Sequence, residues 1–160
     1  MRSSDMNSNR PSLPAAVDDL IPHGPSMRAV SELIEVGDND STARFVVPAD
    51  SPFVGADGLL DEVMYIEMIA QTFAAVHGFH LPPEQRAAHQ GLLIGVKDLI
   101  VHGRAKAGDE LKIDVHRVAK FGDFGVVSGE IHRSDGTLLA TAEIKVWRPG
   151  EDDAKKSGLF

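Results

Sequence analysis

Leu59–His80, LLDEVMYIEMIAQTFAAVHGFH, is the longest apolar run of the chain, and a carboxylate, Glu67, stands in its middle. Val63, Ile66, Ala70, Phe73 and Ala74 recur at helical spacing, with Ile69 and Val76 widening the stripe. That pattern predicts a helix buried over much of its circumference. Gly78 is placed as its C-terminal stop, and Asp57, Asp61 and Glu62 stand where a helix N-terminus favours negative charge.

Glu67 does not belong in such a run. A buried carboxylate costs several kcal/mol unless it is paired or becomes neutral. Gln71, one turn further on, is its nearest available hydrogen-bond partner. The alternative is a narrow solvent-facing strip that Glu67 and Gln71 share.

Composition narrows the function classes. At 160 residues with 42% hydrophobic residues, the chain suits one globular domain with a sizeable core. It has no cysteine, so disulfides, thiolate metal sites and cysteine nucleophiles are excluded. A net charge of −8 argues against nucleic-acid binding and against anionic membrane surfaces. No apolar run free of charge is long enough for membrane insertion. The N-terminal stretch does not read as a secretory signal, so a cytoplasmic protein is expected.

Outward from the central run, residues 1–15 are rich in Ser, Asn, Arg and Pro and read as a disordered tail. Ala16–Ile21 is compatible with one helical turn. In IPHGPSM, two prolines bracket His23 and Gly24, which stiffens the loop and fixes the direction of His23. The plainer reading of His23 is an exposed turn residue.

Met27–Val36 and Ala43–Val47 flank the turn Gly37-Asp38-Asn39-Asp40 and predict a β-hairpin. Leu81–Gln90, with two prolines, reads as a loop. Leu92–Val101 reads as a strand, in which Gly95 marks a place for close backbone approach. Leu111–Val118, Gly125–His132 and Leu138–Trp147 read as three antiparallel strands, and residues 149–160 as a C-terminal tail. With no second long helix to cover it, the central helix must be wrapped by the sheet. The predicted fold is α+β, an antiparallel sheet around one long helix over residues 16–148.

The seven histidines make no metal-binding spacing beyond His77 and His80, which read more simply as cations at a helix C-terminus. There is no phosphate-binding glycine loop and no GxSxG nucleophile turn. No metal and no cofactor are implied.

The order Ile21-Pro22-His23, then Ile66-Glu67-Met68-Ile69-Ala70-Gln71, then Gly95 and Gly108-Asp109, resembles the hot-dog-fold 3-hydroxyacyl-ACP dehydratases (FabZ-like). It spans Leu20 to Trp147. The loop PHGPSM is most like the dehydratase-like branch found in aryl-polyene gene clusters. The resemblance implies a lyase that removes water from a 3-hydroxyacyl thioester on acyl carrier protein, in fatty-acid or polyene biosynthesis. It also implies edge-to-edge pairing of sheets into a homodimer or a hetero-oligomer with a homologue.

In that family an acidic residue at the Glu67 position works across the dimer interface with a histidine of a GHFPG loop. Counting back to that loop reaches Phe53 in SPFVGADG, and no histidine stands between His23 and His77. The resemblance therefore makes Glu67 and His23 the catalytic pair, with His23 replacing the missing histidine. Gln71, Met64 and Gly95 are the expected substrate contacts. Backbone N–H groups around Leu60–Met64 are the expected donors to the thioester carbonyl, and His102, Arg104 and Lys106 the basic patch for the carrier protein. The other readings are a hot-dog acyl thioesterase, with Glu67 activating water, and a non-catalytic partner of an active homologue.

Overall fold

A computed structural model describes residues 10–86 and 91–148; the expected tails at residues 1–9 and 149–160 lie outside them. Seven antiparallel strands form one sheet: β1 (Ala15–Ala16), β2 (Glu32–Val36), β3 (Asp40–Val46), β4 (Leu92–Val101), β5 (Glu110–Phe121), β6 (Phe124–Arg133) and β7 (Leu138–Trp147). Their spatial order is β1-β2-β3-β5-β6-β7-β4. The helix α1 (Val63–His80) packs on the sheet, followed by the single turn α2 (Pro83–Arg86). The hairpins come from alternation: in β5, Leu111, Ile113 and Val115 face the core while Lys112 and His116 face away.

Three expectations need correcting. Two-residue β1 occupies the start of the stretch expected as a helical turn, and only a turn follows at Asp18–Leu20. Gly78 does not end α1, which runs on to His80 and stops where Leu81 turns extended before Pro82. Gly78 instead admits the Leu20 carbonyl, 2.2 Å from where a Cβ would stand.

The third correction concerns the face of the helix. Met64, Tyr65, Met68, Ile69, Thr72, Ala75 and Val76 face the core. The stripe chosen from periodicity stands largely off it: Val63 is 50% exposed, and Ile66, Ala70, Phe73 and Ala74 are half-buried. Gly129 on β6 lets α1 lie close, since a Cβ there would meet Ile69 at 2.4 Å.

β4 is an edge strand, yet Leu92, Leu93, Ile94, Val96 and Ile100 are all exposed on it. No helix among the described residues is long and apolar enough to cross a membrane.

Gly78→Ala tests the close approach of the N-terminal segment. Alanine adds roughly 1 kcal/mol of helix propensity, but its methyl would press on backbone that cannot move aside, and overpacking costs about 1–3 kcal/mol. Denaturant unfolding is expected to show a net loss of stability, where an ordinary helical glycine would show a gain.

Candidate active site

Gln71 is 1% exposed and fully engaged. Its Oε1 accepts the Ala29 N–H at 2.7 Å, while its Nε2 donates to the Met27 carbonyl at 2.9 Å and to Glu67 Oε2 at 3.0 Å. One buried amide thus holds the proline-bracketed loop against α1 and orients the carboxylate. Because Gln71 is inside, the solvent-facing strip does not exist. Glu67 is half-buried and paired.

The segment from Leu20 to Ala29 runs antiparallel along α1, with the Leu20 carbonyl at Gly78 and Met27 and Ala29 at Gln71. His23 lies between these anchors. A 3-10 turn at Pro25–Met27 follows it, and the Arg28 guanidinium, ion-paired with Asp18, donates to the His23 carbonyl at 3.2 Å. The imidazole is half-buried, and its Nδ1 is enclosed with no hydrogen-bond partner among the described residues.

A cavity of about 400 Å³ brings His23, Glu67 and Gln71 together. No direct hydrogen bond joins His23 to Glu67 among the described residues; they face the same space from separate positions. Ala70, Phe73 and Ala74 form the helix wall, and Leu92, Leu93, Phe124, Val146 and Trp147 the sheet wall. Phe124 and Trp147 stack with centroids 6.4 Å apart. His77, Arg117, Lys120 and Arg148 also line the space, and sequence reading missed all four in this role.

The other predicted contacts lie elsewhere. Met64 is a core residue at 2% exposure, and Gly95 lies on β4 beyond the lining residues Leu92 and Leu93. The helix N-terminus is not an open donor set. The N–H groups of Leu60, Asp61, Met64 and Tyr65 donate to the Ala105, Phe53, Asp61 and Glu62 carbonyls, and that of Val63 to Asp61 Oδ1.

Arg104 has a structural task, donating to the Leu60 carbonyl at 3.0 and 3.2 Å and pairing with Asp57 at 3.7 Å. His102 and Lys106 are exposed. Beside them the buried Tyr65 hydroxyl donates to the Gly103 carbonyl and accepts the Ala105 N–H. Burial pushes its pKa up, against the lowering effect of the Ala105 bond.

Sheet, helix and cavity define a hot-dog protein with a carboxylate and an imidazole facing one apolar space. The chain belongs to the ApeP-like family, described as ApeP dehydratase, whose model matches residues 15–157. The dehydratase heterocomplex ApeI:P from Xenorhabdus doucetiae is similar to it at 28% identity and TM-score 0.78, over 91% of this chain and 97% of that one. Two further structures share the fold. The E. coli PaaI protein of the phenylacetic acid degradation operon has 14% identity and TM-score 0.58, over 72% of this chain and 81% of that one. A hypothetical thioesterase with coenzyme A from Streptococcus pneumoniae TIGR4 has 14% identity and TM-score 0.59, over 74% and 85%. Comparison with curated protein sequences finds no match.

Gln71→Leu tests the clamp. It keeps the bulk, strands the buried Ala29 N–H, which costs about 1–3 kcal/mol without a partner, and removes the bond to the Met27 carbonyl. The expected result is a clear loss of stability together with faster amide exchange at Ala29. Unchanged exchange there would show that the loop is held by something else.

Proposed function

We propose that the chain dehydrates a 3-hydroxyacyl thioester carried on acyl carrier protein, with Glu67 and His23 as the acid–base pair. The supporting observation is that these two residues, far apart in sequence, line one cavity, with Glu67 held by Gln71. Removing water needs a proton taken from C2 and a proton given to the C3 hydroxyl as the C–O bond breaks. Two groups standing apart on either side of the reacting carbons suit that better than a contacting pair. The bond from Gln71 to Oε2 leaves Oε1 of Glu67 for the substrate. The apolar walls keep bulk water from the acyl chain and strengthen both polar contacts.

Glu67→Gln keeps the shape and removes the titrating group. Turnover of a 3-hydroxyacyl thioester to the ultraviolet-absorbing enoyl product is expected to fall by about two to four orders of magnitude. His23→Ala is expected to fall similarly while the melting temperature barely moves, since this loop imidazole adds little to the core. Full activity in His23→Ala beside a dead Glu67→Gln would place the second group elsewhere. Release of free thiol instead of enoyl product would favour the thioesterase reading.

The same reading includes an oligomer. A ten-residue edge strand with five exposed apolar side chains invites pairing with another chain, and the ApeI:P relative is a heterocomplex. β4 is therefore the proposed seam, with a second copy or a homologue. Ile94→Lys together with Ile100→Lys is expected to shift the light-scattering mass toward the monomer. Wild-type protein that is already monomeric, alone and when mixed with a co-expressed homologue, would remove the proposal.

A further inference from the structure

The cavity has a second polar end that acid–base chemistry does not use. Glu67 and His77 are ten residues apart on α1, about 15 Å along the axis at 1.5 Å per residue. At the His77 end, β5 supplies Arg117 and Lys120, and the residue after β7 supplies Arg148, all facing the same cavity. Arg148 lies against the His77 ring, and its backbone N–H donates to the Asp123 carbonyl at 2.8 Å.

Among the described residues no carboxylate forms an ion pair with Arg117, Lys120 or Arg148, although Asp123 also lines this end. Arg117 Nε is enclosed without a hydrogen-bond partner. Burial, and then the charge of Arg117, hold the Arg148 guanidinium below its ordinary pKa, against the opposing pull of Asp123. Two half-buried guanidinium groups that repel each other favour an anion between them, because desolvating unpaired charge is costly. A guanidinium fork matches the oxygens of a phosphate or carboxylate.

We propose that Arg117, Lys120 and Arg148 form an anion subsite that takes a phosphate or carboxylate group carried by the substrate at the end opposite its reacting carbons. This deepens the thioester reading of the same cavity and rests on it. Two parts of such a substrate could supply the group: the phosphate of a pantetheine arm, or a carboxylate at the far end of the acyl chain. The apolar walls between the two polar ends fit a neutral linear segment in either case. The subsite also favours substrates of a certain length, on the scale set by Glu67 and His77, which are about 15 Å apart along the helix axis.

Binding to the full-length protein is measured by calorimetry with matched probes: pantetheine 4′-phosphate against pantetheine, and an acyl pantetheine ending in a carboxylate against its methyl ester. At least one charged probe is expected to bind about ten- to a hundredfold tighter than its neutral partner, the worth of one charge-assisted hydrogen bond. That advantage is expected to shrink as salt rises. Arg117→Gln and Arg148→Gln should each remove most of it, and Arg117→Lys should keep part.

An advantage for the phosphate alone assigns the carrier arm; one for the carboxylate alone assigns the acyl end. The salt dependence of the wild-type protein needs no variant, so it decides the matter even if Arg148→Gln disturbs packing at His77. Equal binding of charged and neutral probes at low salt overturns the proposal, as does an advantage that survives both glutamine substitutions. Glu67→Gln separates this from the dehydratase reading. Loss of turnover with the charge advantage intact supports both; wild-type protein that binds the charged probe but dehydrates nothing leaves the subsite and removes that reading.

Discussion

The buried amide of Gln71 is the constraint on which the site depends. It satisfies a backbone donor at Ala29 and a backbone acceptor at Met27 more than forty residues away in sequence, and spends its remaining N–H on Glu67. Removing the amide leaves the buried Ala29 N–H without its acceptor and loses the bonds to Met27 and Glu67 at the same time. The loop that carries His23 is therefore held to the helix that carries Glu67 by the same group that aims Glu67. Leu20 against Gly78 fixes the other end of that loop, and neither contact involves the imidazole itself. His23 can change chemically without the loop letting go.

How much of this was legible in the sequence follows from the kind of signal each element carries. The strands were, because Leu111, Ile113 and Val115 alternate with polar residues, and β4 and β7 appeared with their bounds. The helix was legible as a helix but its inner face was not. α1 is apolar on nearly every side, so periodicity selected Val63, Ile66 and Ala70, whereas the sheet receives Met64, Tyr65 and Met68. Gly78 was read as a stop because a glycine near a helix end usually is one; the carbonyl it admits belongs to a segment that local sequence cannot see.

The candidate site divides in the same way. Glu67 and Gln71 were visible because a carboxylate in an apolar helix is conspicuous, and His23 because prolines bracket it. Met64 and Gly95 stand off the cavity, Met64 in the core and Gly95 beyond Leu92 and Leu93 on β4. Arg117 is one charged residue on an alternating strand, and Arg148 the last residue of the expected domain. Only the antiparallel pairing of β5, β6 and β7 brings the end of β7 to the end of β5, with Trp147 opposite Phe124 and Phe124 opposite Phe121, so that Arg148 and Arg117 line one cavity. Arg104, chosen for its charge, serves instead to hold the Leu60 carbonyl at the start of α1.

The half-exposed apolar face of α1 and the exposed apolar edge of β4 are two aspects of one economy. A single sheet can cover one side of one helix, so the opposite side must either be polar or meet something else. Here it is neither polar nor fully covered: Ala70, Ala74, Leu92 and Leu93 line the cavity, Leu99 and Val101 of β4 pack on the core, and Ile94, Val96 and Ile100 are exposed. Polar residues along that face would have made a better isolated monomer and a worse site, since water would then enter beside Glu67. Keeping the face apolar gives the cavity an apolar wall beside Glu67 and leaves an exposed apolar edge on β4. The cavity wall and the exposed edge thus share side chains, Leu92 and Leu93. A change that makes β4 more polar is expected to act on both.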